Sequence, residues 1–257
     1  YLTFFDDLPT AFWRAVVRPE ITDGEVRWLH KILANADGPL LDIPCGDGRH
    51  TRALAGMGYR IVGIDISEHQ LAVARSLSTS RTAEWLCQDM AALALQARQF
   101  AGVYCFGNSF GYLTKGGMSA FLASIAEALA PGARFAIDTG MIAETLLPKL
   151  QPTLEGKIGE IAFLARRTYD PTTSYLSVLW QFTRDGHTVE RAARHAVYTV
   201  SSLTALLSGH GLQIESVAGD LQGAPFTTES QRMLLVARRL SGQMRSPALT
   251  EVPHAKA

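Results

Sequence analysis

Apolar and polar positions along the chain fall into three rhythms. In the first, up to about residue 37, apolar side chains recur at helical intervals. Phe4, Phe5, Leu8, Phe12, Trp13, Val16 and Val17 form an aromatic-rich stretch ending near Pro19. Beyond it Val26, Leu29, Ile32 and Leu33 follow Thr22-Asp-Gly-Glu25, whose spacing predicts a capping box in which Thr and Glu satisfy each other's backbone N–H groups. The aromatic stretch reads either as a helix packed on the main domain or as a lid over a ligand site.

From residue 38 short apolar runs alternate with helical ones. Strands are predicted at 39–43, 60–65, 83–87, 102–106 and 134–138, and helices at about 50–57, 68–77, 91–97 and 118–130. Ser67 and Gln70 have capping-box spacing, and Pro131-Gly132 is expected to stop the last helix. Such alternation implies right-handed crossovers and a mostly parallel sheet covered on both faces, an α/β doubly wound fold.

The rhythm then breaks. Residues 152–198 carry three β runs, at 161–169, 174–184 and 188–198, with Asp170-Pro171 and Asp185-Gly186 as turns. This predicts a small antiparallel sheet inserted into the α/β domain. A helix at 201–207 and strands at 212–217 and 232–239 close the fold. The expected organisation is an N-terminal helical lid (1–37), a Rossmann-like domain (38–151 and 199–240), an inserted β cap (152–198) and a loose tail (241–257).

Composition narrows the field. The 257 residues include 24 basic and 24 acidic side chains and are 47% hydrophobic, enough for a real core. Neutrality removes the generic electrostatic case for nucleic acid. No apolar run approaches the ~20 residues that span a bilayer, and no charged-then-apolar segment opens the sequence as it stands from Tyr1. Cys45, Cys87 and Cys105 are scattered and odd in number, as in reduced thiols. The expectation is a cytoplasmic protein with no nucleic-acid, membrane or metal partner.

The chemistry concentrates in Leu40-Leu-Asp-Ile-Pro-Cys-Gly-Asp-Gly-Arg-His50, an apolar strand running through a glycine-bearing loop into a helix. Such a loop lies at the switch point where doubly wound folds bind ligands. Thr51 stands where a dinucleotide fingerprint needs its third Gly, and Arg49-His50 replace the Lys-Ser/Thr of a phosphate loop. Asp42 suits a ligand ammonium better than a pyrophosphate. Asp65, closing the next strand, can accept both hydroxyls of an adenosine ribose. After the third strand Asp89 can accept an adenine amino hydrogen and Met90 can pack on the ring. Each Asp alone could equally cap a helix; the three in register point to a nucleoside ligand.

LLDIPCGDGRH, YRIVGIDIS and QDM resemble the class I S-adenosylmethionine-dependent methyltransferases, strongly over residues 38–140 and by topology in the closing strands. CFGNSFGYL (105–113) resembles the small-molecule branch. The resemblance implies a seven-stranded sheet and S-adenosyl-L-methionine as cofactor. It places Asp42, Gly46 and Gly48 at the methionine end, Asp65 at the ribose, and Asp89 and Met90 at the adenine, with Pro44, Cys45, Arg49, Ile66 and Phe106 as further cofactor contacts. Pro44 replaces the commonest first Gly, a variant familiar in the family.

Methyl transfer from a sulfonium is an in-line displacement governed by positioning, and a base is required only where the acceptor must lose a proton. Asn108, Ser109, Tyr112 and Arg166 are the expected acceptor contacts, with His195 or Tyr198 as the proton-handling group; an ordinary core role stays open for each. Trp180 shares parity with Leu176, Val178 and Phe182 and reads as core. His195 and Tyr198 have opposite parity, so both reach one site only across a bulge or strand end. The (D/N)-P-P-(Y/F) motif is absent, Asn108-Ser-Phe-Gly111 standing there instead, which disfavours nucleic-acid acceptors. The leading expectation is a methyltransferase acting on a small-molecule N or O acceptor. Aminocarboxypropyl transfer or cyclisation with the same cofactor, and a non-catalytic cofactor-binding module, are the alternatives. A homodimer is left open.

Overall fold

The computed structural model describes residues 4–95 and 99–241. Two N-terminal helices, α1 (Asp7–Val16) and α2 (Pro19–Leu33), precede β1 (Leu40–Asp42), which lies in the middle of a seven-stranded sheet. The chain then runs α3 (Arg49–Gly56), β2 (Ile61–Asp65), α4 (Glu68–Leu77), β3 (Ala83–Cys87), β4 (Phe100–Cys105), α5 (Lys115–Ala128) and β5 (Leu129–Thr139). After a short α6 (Ala143–Leu146) come β6 (Thr153–Ile158), β7 (Ile161–Asp170), β8 (Tyr175–Arg184) and β9 (His187–Ala196). Helix α7 (Val200–Gly209), β10 (Leu212–Ala218) and β11 (Met233–Arg239) complete it. The large sheet has the order β10-β11-β5-β4-β1-β2-β3, and the small one β6-β7-β8-β9.

Five strands of the large sheet are parallel, and β11 is antiparallel to both β5 and β10. Strands β1 and β2 are buried on both faces, which is why they read as continuous apolar runs. Their alternate side chains serve two cores. Leu40 and Ile61 join Val26, Leu29, Leu33 and Leu54 beneath α2 and α3. Leu41, Ile43, Val62 and Ile64 face Met118, Phe121, Leu122 and Ile125 of α5, a core continued by Leu203 and Leu207 of α7. Each such fully buried aliphatic side chain contributes about 1.5–3 kcal/mol by leaving water. The doubly wound α/β architecture with an inserted antiparallel sheet is as expected.

The inserted sheet has four strands where three were expected. Strand β6 has no two-residue alternation to read, because Glu155, Gly156 and Lys157 are all exposed. The two N-terminal helices also have different neighbours. Helix α2 lies on the large sheet, whereas Phe4, Leu8 and Phe12 at α1 pack against Ile161, Phe182 and Ala193 of the insert. The Asp185-Gly186 turn has φ of 52° and 78°, the positive pair that a two-residue hairpin requires.

Three boundary expectations are corrected. Helix α2 begins at Pro19, a first-turn proline whose missing N–H costs nothing there, so Thr22 and Glu25 lie inside it and form no capping box. Helix α5 starts early, at Lys115, because Thr114 accepts the Gly117 N–H. It ends at Ala128, and β5 runs through Pro131-Gly132, the shift in register between Phe100 and Gly102 absorbing the irregularity. The helix expected at 91–97 is a single 3-10 turn, Met90–Ala92, in the part that is described. Residues 96–98 and the tail from 242 onward lie outside the described residues. Among the described residues no helix is long and apolar enough to cross a membrane.

Candidate functional site

At the carboxyl edge of the parallel strands a single cavity of about 650 Å³ runs from the glycine loop to the inner face of the inserted sheet. That volume is in the range of small-molecule sites. One end is lined by Pro44, Cys45, Gly46, Asp65, Ile66, Gln88, Met90 and Phe106, the other by Phe5, Tyr112, Leu176, Val178, Trp180, Arg167 and His195. Asn108 and Ser109 lie between.

The glycine-loop end is held by Asp65. Its two carboxylate oxygens accept the Gly46 N–H at 2.8 Å and the Ser67 N–H at 2.9 Å, joining the loop after β1 to the loop after β2. Burial raises the pKa of Asp65, and these N–H groups oppose the rise. Each oxygen keeps a further lone pair for a donor in the cavity. Gly46 has φ 55°, and a Cβ there would meet nothing within 4 Å, so the backbone is open to a ligand. Gly48 serves a different end. At φ 72° its Cβ would run into the Trp85 ring, so glycine is needed there for packing and turn shape.

Asp42, Asp89, Arg166 and Tyr198 do not line the cavity, and nor does Gly48. Asp42 is 1% exposed and accepts the Thr51 hydroxyl at 2.6 Å; burial pushes its pKa up to about 7. Asp89 caps the 3-10 turn by accepting the Ala91 N–H, the capping role open to it from the outset, while its neighbours Gln88 and Met90 face the cavity. Arg166 is exposed, and the alternation of β7 brings Arg167 to the cavity instead. Tyr198 lies past the end of β9, its ring 6.1 Å from that of Phe110 in the core. The strand end between His195 and Tyr198 thus sends them to different places.

His195 is 7% exposed and stacks on Tyr112 with ring centroids 4.5 Å apart. Its Nδ1 has no hydrogen-bond partner among the described residues, and burial lowers its pKa to about 4. It stands in the cavity as a neutral imidazole with one ring nitrogen able to accept a proton. Leu176, Val178 and Trp180, read as core, both bury apolar surface and form the cavity wall.

A charged network with no local signature in the sequence braces the site from behind. Glu25, 3% exposed, accepts Arg49 Nη1 at 2.5 Å and Arg232 Nη2 at 2.7 Å, and lies 2.9 Å from His50 Nε2. Burial would raise the Glu25 pKa, but the His50 hydrogen bond and the two guanidinium charges outweigh it and hold the group at about 2. Burial holds His50 at about 4, so it is neutral and donates Nε2–H to Glu25. Arg232 also donates from Nε to Asp138 at 2.8 Å, and Asp138 accepts the Gly107 N–H at 3.2 Å. The loops after β1 and β4 are therefore tied to one another through α2 and the start of β11. Glu25 looked like a capping residue, and Arg232 carried no motif.

Above the cavity, Thr10 accepts from Gln70 Nε2 at 3.2 Å and Arg14 pairs with Asp47 at 3.0 Å. Helix α1 is thereby fastened to both α4 and the glycine loop. Among the described residues no group of three His, Cys, Asp or Glu side chains could hold a metal ion.

Comparison with known proteins adds independent findings. Residues 40–132 match the family model of a methyltransferase domain. The putative methyltransferase YqeM of Bacillus subtilis is 24% identical over 225 residues, covering 84% of this chain and 90% of that protein. The structure of the CcbJ methyltransferase from Streptomyces caelestis superposes with a TM-score of 0.77 at 18% identity, covering 88% of this chain and 98% of that one. SAM-bound CalS10 from Micromonospora echinaspora, an amino pentose methyltransferase, gives 0.68 at 19% identity over 91% of this chain and 98% of its own. At these identities the structural likeness shows a shared fold.

Proposed function

We propose that this chain, whose residues 40–132 match the family model of a methyltransferase domain, is an S-adenosylmethionine-dependent methyltransferase acting on an N or O atom of a small molecule. One observation carries the proposal. A cavity with a ribose-suited carboxylate and an open glycine at one end is continuous with a wall of aromatic and aliphatic side chains at the other. The bound S-adenosylmethionine of CalS10 is in keeping with it.

The residues fit the cofactor. Asp65 offers carboxylate lone pairs to ribose hydroxyls, and Gly46 offers open backbone to the methionine portion. Ile66 and Met90 give apolar surface to an adenine, with Gln88 at its polar edge. When bound, S-adenosylmethionine supplies an electrophilic methyl group on a sulfonium. The chain's own contribution is alignment and dryness. The bonds of Asp65 to Gly46 and Ser67 fix the donor end before any ligand arrives, so that binding energy is not lost to ordering the loop. Holding the reacting atoms about 3–3.5 Å apart can supply several kcal/mol of barrier reduction. The insert and α1 cover the acceptor end against water. Neutral His195 can take a proton from an acceptor hydroxyl or amine as it is methylated.

The test is the product formed from S-adenosylmethionine with a panel of small N–H and O–H acceptors. Release of S-adenosylhomocysteine with methylated acceptor is expected. Methylthioadenosine instead would mean aminocarboxypropyl chemistry or cyclisation, and tight binding without turnover would mean a binding module.

A further inference from the structure

The charge of the acceptor can be read from the far end of the same cavity. This rests on the methyltransferase reading above, which assigns the glycine-loop end to the donor. The carboxylates on the cavity wall are Asp23, Asp47 and Asp65, all at or beside the glycine-loop end. At the insert end no carboxylate lines the wall among the described residues, and the one charged side chain there is Arg167. Its Nε donates to the Gln151 carbonyl at 2.8 Å, which anchors the guanidinium by one edge. No ion pair joins it to any Asp or Glu among the described residues. An arginine fork leaves its remaining donors in a geometry matched to a carboxylate or phosphate.

The second polar group is His195, whose buried Nδ1 lacks a partner. Arg167 pairs across β7–β8 with Val178, and His195 across β8–β9 with Leu176, so both lie on the cavity face of the insert. They are two strands apart, roughly 10 Å. The surface between them is Leu176 and Val178, with Trp180 on the same face just beyond Val178, and it suits a flat apolar body.

We infer that the acceptor is an apolar, ring-bearing molecule with an anionic group, bound with that group on Arg167 and its nucleophilic edge toward His195, and that cationic amines are excluded. An ammonium in this pocket would face a guanidinium with no carboxylate to balance either, and desolvation would leave that repulsion largely unscreened.

The experiment uses the full chain saturated with S-adenosylhomocysteine and three probes of one shape: 6-hydroxy-2-naphthoate, its primary amide, and the matching aminomethyl compound. Calorimetry should show the carboxylate binding about tenfold or more tighter than the amide, the ammonium weakest, as a charge-assisted hydrogen bond predicts. Arg167→Gln should remove the preference for the carboxylate, and Arg167→Glu should invert the order. Arg166→Gln, one residue away on the exposed face, should leave it intact. Affinity for S-adenosylhomocysteine, measured first on every variant, reports folding and the donor reading separately. If that ligand binds and the three probes bind equally, or none binds at millimolar concentration, or Arg167→Gln keeps the preference, the inference is overturned while the donor site stands. If S-adenosylhomocysteine itself fails to bind the wild-type chain, the methyltransferase reading fails.

Discussion

Glu25 and Arg232, 207 positions apart in the chain, meet in a buried ion pair with a 2.7 Å hydrogen bond behind the cavity. The pair does more than close the fold. Through Arg49 it reaches the glycine loop, and through Asp138 it reaches the Gly107 N–H, so the spacing of the two loops that border the donor end depends on it. Removing one member of a buried pair leaves the others uncompensated, at a cost of about 3–5 kcal/mol. Glu25→Ala should therefore lower stability by that order, measured by denaturant unfolding. Arg14→Ala, which breaks only a half-exposed pair with Asp47, should cost under about 1 kcal/mol.

The two loop glycines should separate by mechanism. Gly48→Ala drives a Cβ into the Trp85 ring at a positive φ and should destabilise by about 2 kcal/mol or more. Gly46→Ala meets open space, so only the backbone penalty of about 1 kcal/mol applies to stability. Its larger effect should be on affinity for S-adenosylhomocysteine, because the added methyl occupies the ligand's side of the loop. Thermal shift with and without ligand checks both.

How much of this was legible in the sequence follows the same division. Strands β1 and β2 announce themselves because burial on both faces makes them continuously apolar. The Asp65 position could be read because a strand end after a glycine loop has one spatial meaning in a doubly wound fold. Glu25, Arg232 and Arg167 could not. A charge network closed across α2, α3, β5 and β11 leaves no local pattern, and Glu25 sat three residues after a threonine, where a cap was the simplest reading. Arg166 and Arg167 are adjacent, and only the true register of β7 decides which enters the cavity. Asp42 and Asp89 carry a charge that suits a ligand, and in the fold they accept the Thr51 hydroxyl and the Ala91 N–H.

The pH dependence of activity should identify His195. Burial places its pKa near 4, well below the ordinary 6.5. A base must be deprotonated, so its acid limb should fall near pH 4 and leave kcat/KM level through pH 6.5. His195→Gln should lower kcat by about 10²-fold or more, the usual range for a general base, with S-adenosylhomocysteine affinity unchanged. A limb near 6.5 that survives the substitution would assign proton transfer elsewhere.

Stability should respond to pH in one sense at Glu25 and His50 and in the opposite sense at Asp42. Glu25 at about 2 lies below its ordinary 4.5, and His50 at about 4 below 6.5, so the folded chain binds fewer protons at both. Their contribution is lost as pH falls, from about 6.5 toward 4 for His50 and from about 4.5 toward 2 for Glu25. Asp42 has the reverse sign. Its folded pKa of about 7 exceeds the ordinary 3.8, so its contribution is present below 3.8 and lost as pH rises to 7. Relative to wild type, Asp42→Asn should therefore gain stability steadily between pH 4 and 7, as urea titrations at several pH values would show.

The donor site is the centre of the account, and calorimetric titration of S-adenosylmethionine into the wild-type chain and into Asp65→Ala tests it most directly. One-to-one binding to the wild type, weakened by at least about tenfold in the variant through loss of charge-assisted hydrogen bonds to the ribose, is the predicted result. No binding by the folded wild type, or equal binding by both, would contradict it.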